Sequence, residues 1–342
     1  MLSALIRRHG RVLIAGALLV AVLLVGAVVA LGGSADVVVY NGRSQYGDEP
    51  AFTNWEKQTG KNLELRPGSA PELYERLKSE GSDTPADLLV TTDLANLWRA
   101  KEAGLLEKVV TPALERNVPE ELRDPDDEWW GLSQRIRTPM RSTERVGVDA
   151  VKSYADLGKP EFKGKLCLRT SNNEYNQSLV ADMLAKRGPD KTRALLESWM
   201  ANDPRILGSD VDVLEAIASG RCDVGLTNHY YLARELKDDP DFPVAPAWPD
   251  QDGAGAHTNL SGVGLVKGTK HRADAIALME HLTAPEAQRD IAANGEFAAN
   301  PRVPPIKQIA SWSKVKLDPI DVAQAGRLLP DAVELMQEVG WK

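Results

Sequence analysis

The chain has 342 residues, of which 43% are hydrophobic and 26% charged, with a formal net charge of −8. That is the size and balance of a globular protein with two ordinary domains and a sizeable core. The first 35 residues carry Arg7, Arg8 and Arg11 and no acid, so the remainder is more acidic than the whole, which excludes nucleic-acid binding through a basic face.

The chain opens on those arginines and an almost uninterrupted apolar run, Val12 to Leu31. A run of about 20 residues spans a bilayer as a helix, and it exceeds the roughly 7–15-residue core of a signal peptide. Residues 1–35 therefore read as a signal anchor, with a signal peptide cut near Gly33-Ser34-Ala35 as the other reading. Either one puts the acidic body outside the cytoplasm, in the periplasm or on the outer face of the cytoplasmic membrane. No cysteine stands near the end of the run, so no lipid-attachment site is expected.

Val37–Tyr40 is a short apolar run, as in a strand buried on both faces. The loop Asn41–Gly47 follows, and Asp48 with Pro50 predicts a helix start that Gly60 ends. A strand near Leu63–Leu65, a helix from Pro71 to Glu80, a strand Asp87–Thr91 and a helix Leu94–Ala103 come next. Thr111–Asp127, rich in Pro and acid, reads as irregular surface, and Ser133–Ser142 as extended. A second alternating set has a helix at Val151–Leu157, a strand at Lys165–Arg169 and helices at Asn173–Arg187 and Lys191–Asn202. A short helix capped by Asp210 ends at Gly220. Cys222–Leu226 is a buried strand, Thr227 or Asn228 a cap, and Tyr230 and Tyr231 lie in the first turn of the next helix. Asp238–Pro249 is loop with one strand, Leu260–Val266 a strand, His271–Leu282 and Ala284–Ala293 helices. Asn300–Pro305 is a turn, and Asp318–Val339 the final helix. Alternating strands and helices predict parallel sheets with helices on both faces.

Ligands of such sheets bind beyond the carboxyl ends of the strands. Tyr46 follows the first strand, Tyr175 follows Lys165–Arg169, and Tyr230 and Tyr231 follow Cys222–Leu226. Four of the chain's 7 tyrosines thus occupy equivalent places. Phenolate oxygen is a hard, anionic donor suited to a hard cation, and several phenolates together point to Fe(III) above Mg or Ca. A free phenol ionises only near pH 10, but a bound cation and a helix N-terminus both favour the phenolate. Arg43 and Arg169 are candidates to offset excess negative charge behind the metal, with structural ion pairs as the alternative. Ser171, Asn172 and Asn173, at a helix start, are candidates for holding a small anion beside it. His229 and His257 read as capping or surface residues, and Trp98, Trp129 and Trp130 as core or cleft-wall aromatics. Cys167 and Cys222, in apolar strand-like runs of an exported chain, are a disulfide candidate, with two separate buried thiols as the alternative.

The segments ELYERLKSEG, PADLLVTTDLANLWRAKEAGLL, GKLCLRTSNNEYNQSLVA, CDVGLTNHYYLAREL and HTNLSGVGLVKG, in this order, resemble the ferric-iron-binding proteins of bacterial ABC iron importers, the FutA/FbpA type. The resemblance covers nearly everything after Ala35. It implies an α/β, two-lobed periplasmic-binding-protein fold of type II, each lobe a mainly parallel sheet flanked by helices. Lobe one would comprise 36–137 and 257–305, and lobe two 138–256 and 306–342. The family's iron ligands fall on Tyr46, Tyr175, Tyr230 and Tyr231. Where many members have a histidine before the early tyrosine this chain has Gln45, leaving water, a small synergistic anion or the Gln45 carbonyl oxygen to complete the coordination. RIRTPMRSTERV stands where relatives carry a hydrophobic strand with tyrosines, in a segment that should cross between the lobes.

The function so implied is capture of extracytoplasmic Fe(III) by a monomer that hands it to an ABC permease and its ATPase. The alternatives are the same fold binding a small organic solute or anion, and a membrane-tethered iron sensor. No G-x-x-x-x-G-K-[ST] loop is present, so the chain is not the ATPase itself. No G-x-S-x-G elbow, H-E-x-x-H motif or His-centred triad supports a hydrolase.

Overall fold

The structure, a computed structural model, describes residues 35–43 and 49–342. The N-terminal apolar run, Gln45, Tyr46 and the expected cap Asp48 lie outside the described residues. Among the described residues no helix is long and apolar enough to cross a membrane.

The first alternating set is β1 (Val37–Asn41), α1 (Pro50–Thr59), β2 (Leu63–Pro67), α2 (Ala70–Glu80), β3 (Leu88–Thr91), α3 (Leu94–Glu102) and β4 (Leu106–Glu107). Gly60 ends α1 in the left-handed region at φ 70°, a conformation open to glycine at little cost. The Asp93 side chain caps α3 by accepting from Asn96 N. A helix, α4 (Pro112–Asn117), occupies part of the stretch expected to be irregular. Thr111 caps it and Pro112 sits at its first position, so the prolines mark a helix start rather than its absence. Next comes β5 (Trp130–Ser142), longer than expected. The helix expected near Val151–Leu157 is a 3-10 turn, Tyr154–Gly158, held by a Ser153–Asp156 capping box.

The second set is β6 (Leu166–Arg169), α5 (Glu174–Arg187), α6 (Pro189–Met200), β7 (Arg205–Leu207), α7 (Asp210–Ala218), β8 (Val224–Asn228), α8 (His229–Asp238) and β9 (Val244–Pro246). Ser209, not Asp210, caps α7, which releases the Asp210 carboxylate for other partners. The chain then returns through β10 (Ala256–Val266), α9 (Arg272–Thr283), α10 (Pro285–Ala292) and β11 (Phe297–Ala298). Lys307–Lys314 is a 3-10 segment that the sequence did not signal. The last helix, α11 (Val322–Glu338), starts four residues later than expected, because Leu317–Pro319 forms β12 against β10 and Asp321 supplies the cap.

The fold is the two-lobed periplasmic-binding-protein architecture. In the first sheet β1 runs parallel to β2 and β3, and β10 lies antiparallel between β3 and β5. In the second, β6 runs parallel to β7 and β8, with β5 antiparallel to β8. Strand β5 belongs to both: its first part pairs with β10 as far as Ile136, and from Arg137 it pairs with β8. Two apolar cores follow. One gathers Val37, Phe52, Trp55, Trp130, Val263 and Leu278; the other gathers Met140, Val213, Ile217 and Leu232 and reaches Tyr230 and Tyr231. Helix α11 packs on both α3 and α5, and Thr92 and Asp93 meet Glu174 and Ser178 across the cleft, at 3.1 and 3.3 Å.

Candidate metal centre

Strands β6 and β8 are parallel neighbours, Cys167 opposite Gly225. A side chain at Gly225 would meet Cys167 O at 2.9 Å, so glycine is needed for this approach. The Cys167–Cys222 disulfide ties the two strands together, with Cα atoms 5.9 Å apart. Both strands end at the same edge and feed helices there. Tyr175 is the second residue of α5; Tyr230 and Tyr231 are the second and third of α8. Asn173 caps α5 by accepting from Tyr175 N at 3.2 Å, which sets the first turn carrying that phenol.

The three phenols are buried, Tyr230 completely. The rings of Tyr230 and Tyr231 lie 4.3 Å apart, tilted by 36°, although neighbours on a helix ordinarily face apart. Asn228 Nδ2 donates to Tyr230 Oη at 3.4 Å. Burial pushes the Tyr230 phenol well above its ordinary value, and the charges of Tyr175 and Tyr231 push it the same way. Burial also raises Tyr231, as does Asp210, while a hydrogen bond from Tyr230 and the charges of Arg169 and Arg234 act against it. Tyr175 and Tyr231 thus both act electrostatically on Tyr230, which gathers the three phenols into one cluster.

The described residues on either side of 44–48 are joined to each other. Arg43, with no exposed surface, holds Glu49 through two hydrogen bonds of 2.8 Å. The same guanidinium reaches Glu296 at 2.8 Å, Ser261 at 2.8 Å and Ser133 at 3.1 Å. Arg43 is a structural ion-pair residue here. Arg169 donates to Asp210 at 2.9 Å. Burial pulls its guanidinium down, but Asp210 outweighs this and holds it above its ordinary value, with Tyr231 and Glu174 adding to the effect. Asn172 is exposed, and its Oδ1 accepts from Thr170 Oγ1; the Ser171 carbonyl accepts from Gln177 Nε2.

Both histidines expected at capping or surface positions are buried. His229 Nδ1 accepts from Ile136 N at 3.0 Å, its ring stacks on Phe297, and burial lowers its pKa to about 3, so it stays neutral. His257 Nδ1 lies 2.9 Å from Asp182. Their surroundings come from strands and helices distant in sequence, which local polarity does not reveal.

Sequence reasoning assigned no role to Arg135, Arg137, Arg234 or Glu296, and gave Asp210 only as a helix cap. The Arg135 guanidinium lies 5.4 Å from the Tyr175 ring and donates to Ser261 at 2.6 Å and Glu296 at 3.3 Å. Arg137 donates to Asn176, Asp210 and Asn228. Arg234 lies over both paired tyrosine rings and donates to Asn294 O. The available signal was the i, i+2 pair Arg135 and Arg137 in an extended run, since such a pair shares one face of a strand. Among the described residues no three His, Cys, Asp or Glu side chains gather as a metal site, so what this region offers a cation is phenolic oxygen.

Residues 83–316 match the bacterial extracellular solute-binding protein family. The chain belongs to that family. Within it, the similarity is to iron proteins. Iron uptake protein A1 of Synechocystis is 38% identical over 319 residues, covering 91% of this chain and 89% of the relative. A Trichodesmium FutA solved with iron and citrate is 35% identical, covers 90% of this chain and 99% of its own, and superposes with a TM-score of 0.79. A ferric binding protein from Campylobacter jejuni is 30% identical, covers 90% of this chain and 100% of its own, and reaches 0.83. This solute-binding protein therefore has relatives matched over nearly their whole length.

Proposed function

We propose that this solute-binding protein is an extracytoplasmic, monomeric carrier of Fe(III). It takes the ion between its lobes on the phenolates of Tyr46, Tyr175, Tyr230 and Tyr231 and delivers it to an ABC permease and its ATPase. The observation that carries this reading is the gathering of three buried phenols from two helix starts on neighbouring parallel strands. Tyr46, outside the described residues, is included because the resemblance puts a ligand at its position. The lobe limits follow the expectation, 36–137 with 257–305 and 138–256 with 306–342. The change of partner along β5 at Ile136–Arg137 supports the first boundary.

Charge supports the same reading. Among the described residues, Arg43, Arg135, Arg137, Arg169 and Arg234 gather with the carboxylates of Glu49, Glu296 and Asp210, and burial raises Asp93 near Arg135 toward its neutral form. Glu174 beside them is pushed toward its neutral form by burial. A bare trivalent cation is repelled by such a shell. Fe(III) with four phenolates carries a net negative charge, which guanidiniums suit, and a small synergistic anion would complete its coordination. The Trichodesmium relative was solved with citrate beside iron.

The test is optical. Protein loaded with ferric citrate is expected to show a visible phenolate-to-iron charge-transfer band, and Tyr230→Phe combined with Tyr231→Phe to abolish it. Undiminished colour and affinity in that variant rejects the assignment.

A further inference from the structure

Strands β5 and β10 pair across the middle of the molecule, and successive residues on each point to opposite faces. Arg135, opposite Asn259, and Ser133, opposite Ser261, belong to the face of the tyrosines. Gln134, opposite Leu260, belongs to the other face. On that rear face lies a cavity of about 480 Å³. Leu94, Trp98, Trp129 and Leu260 wall it on one side, and Ile320 and Ala323, where α11 begins, on the other. Its volume lies in the range of about 300–1,000 Å³ usual for small-molecule sites, and Glu120, Glu121, Asp124, Gln134 and Thr258 set polar groups among its apolar walls.

Two hydrogen-bond donors of this lining, Trp129 Nε1 and Arg123 NH1, are buried without an acceptor among the described residues. Trp129 is only 4% exposed. The carboxylates nearest Arg123, those of Glu120 and Asp127, stand 3.7 and 3.9 Å away, beyond hydrogen-bond reach. The cation at the rim, Lys101, is already taken by Asp124 and Asp126. The Arg123 guanidinium lies over the Trp130 ring, 5.0 Å from its centroid, which takes part of its charge. Buried donors lacking acceptors are rare in native proteins, and Trp129 Nε1 with Arg123 NH1 at the same cavity describes a missing partner with an oxygen atom. The indoles of Trp98 and Trp129 in the lining suit a flat ring.

We propose that this cavity is a second ligand site, separate from the tyrosine cluster, for a small aromatic molecule carrying one oxygen acceptor. It does not depend on the iron reading, because it shares no residue with that cluster.

Fluorine NMR on the full chain tests it with three probes: 4-fluorobenzoate for a carboxylate, 4-fluorobenzamide for a neutral carbonyl, and fluorobenzene for a ring without an acceptor. An acceptor probe is expected to bind saturably, with fluorobenzene about fivefold weaker or more. Tighter benzoate assigns a carboxylate ligand, and tighter benzamide a neutral carbonyl. Trp129→Phe keeps a ring but loses the donor, and is expected to weaken the acceptor probe about fivefold. Ala323→Trp fills the cavity and is expected to abolish binding. Circular dichroism checks that both variants fold; should Ala323→Trp not fold, Trp129→Phe decides alone. The proposal is overturned by no saturable binding of any probe, by fluorobenzene binding as tightly as the others, or by unchanged binding in the folded variants.

Discussion

Tyr230 has no exposed surface, and burial together with its phenolic neighbours keeps its proton on at any physiological pH. In the proposed iron reading, the ion would displace that proton, and one from each other phenol that it ionises. Each phenolate formed from a neutral phenol releases one proton, so affinity should fall by about tenfold per pH unit for every phenolate ligand as the solution is acidified. Competition against a chelator of known protonation between pH 5 and 8 measures the slope; a flat profile would mean that phenolates do not hold the metal. At this scale the places of Tyr175, Tyr230 and Tyr231 were legible, because each follows a strand end. Arg135 and Glu296 were not, because their 3.3 Å contact joins residues 161 apart in sequence.

Among the elements, β6 and β8 matter most, since each leads to tyrosines of the cluster. The disulfide between Cys167 and Cys222 closes a loop over a sequence separation of 55, worth about 4 kcal/mol in the chain-entropy account. Replacing both cysteines by alanine should lower stability by roughly 2–4 kcal/mol in denaturant melts, with the parallel β6–β8 hydrogen bonds still holding the strands in register. An unchanged midpoint would show that the bridge adds nothing to the native fold. Two of the elements misread from sequence share one cause. Helix α4 and β12 are short and start at or near prolines, so hydrophobic periodicity has too few residues to declare itself. What settles them is capping by Thr111 and Asp321 and pairing with β10.

For the whole molecule, the question is what holds the lobes in the observed arrangement. Asp93 of α3 faces Ser178 of α5, with Asn96, Arg135 and Glu174 as its polar and charged neighbours. Burial raises the Asp93 carboxyl above its ordinary value, against the pull of Asn96 and Arg135. A carboxyl raised in the folded state contributes stability below its unfolded pKa, and that contribution is lost as pH rises through the folded value. Asp93→Asn keeps the helix cap and removes the buried charge. It should raise the melting temperature at pH 8 by a few degrees, about 2–4 °C per kcal/mol for a chain of this size, and leave it unchanged at pH 4. A loss at pH 8 would show that the ionised carboxylate stabilises the interface. Iron bound to ligands of both lobes favours closure only through its contacts with both.

The sequence by itself determined the alternation of strands and helices and the strand ends that present Tyr175, Tyr230 and Tyr231, because these depend on local periodicity and on which edge a parallel strand must end; the structure chose the Cys167–Cys222 disulfide over two separate thiols. The tertiary structure alone decided the buried network of arginines and carboxylates, the burial of His229 and His257, and the cavity behind β5 and β10. Those features depend on which distant segments meet, and desolvation, which sets their charge states, exists only once they have met.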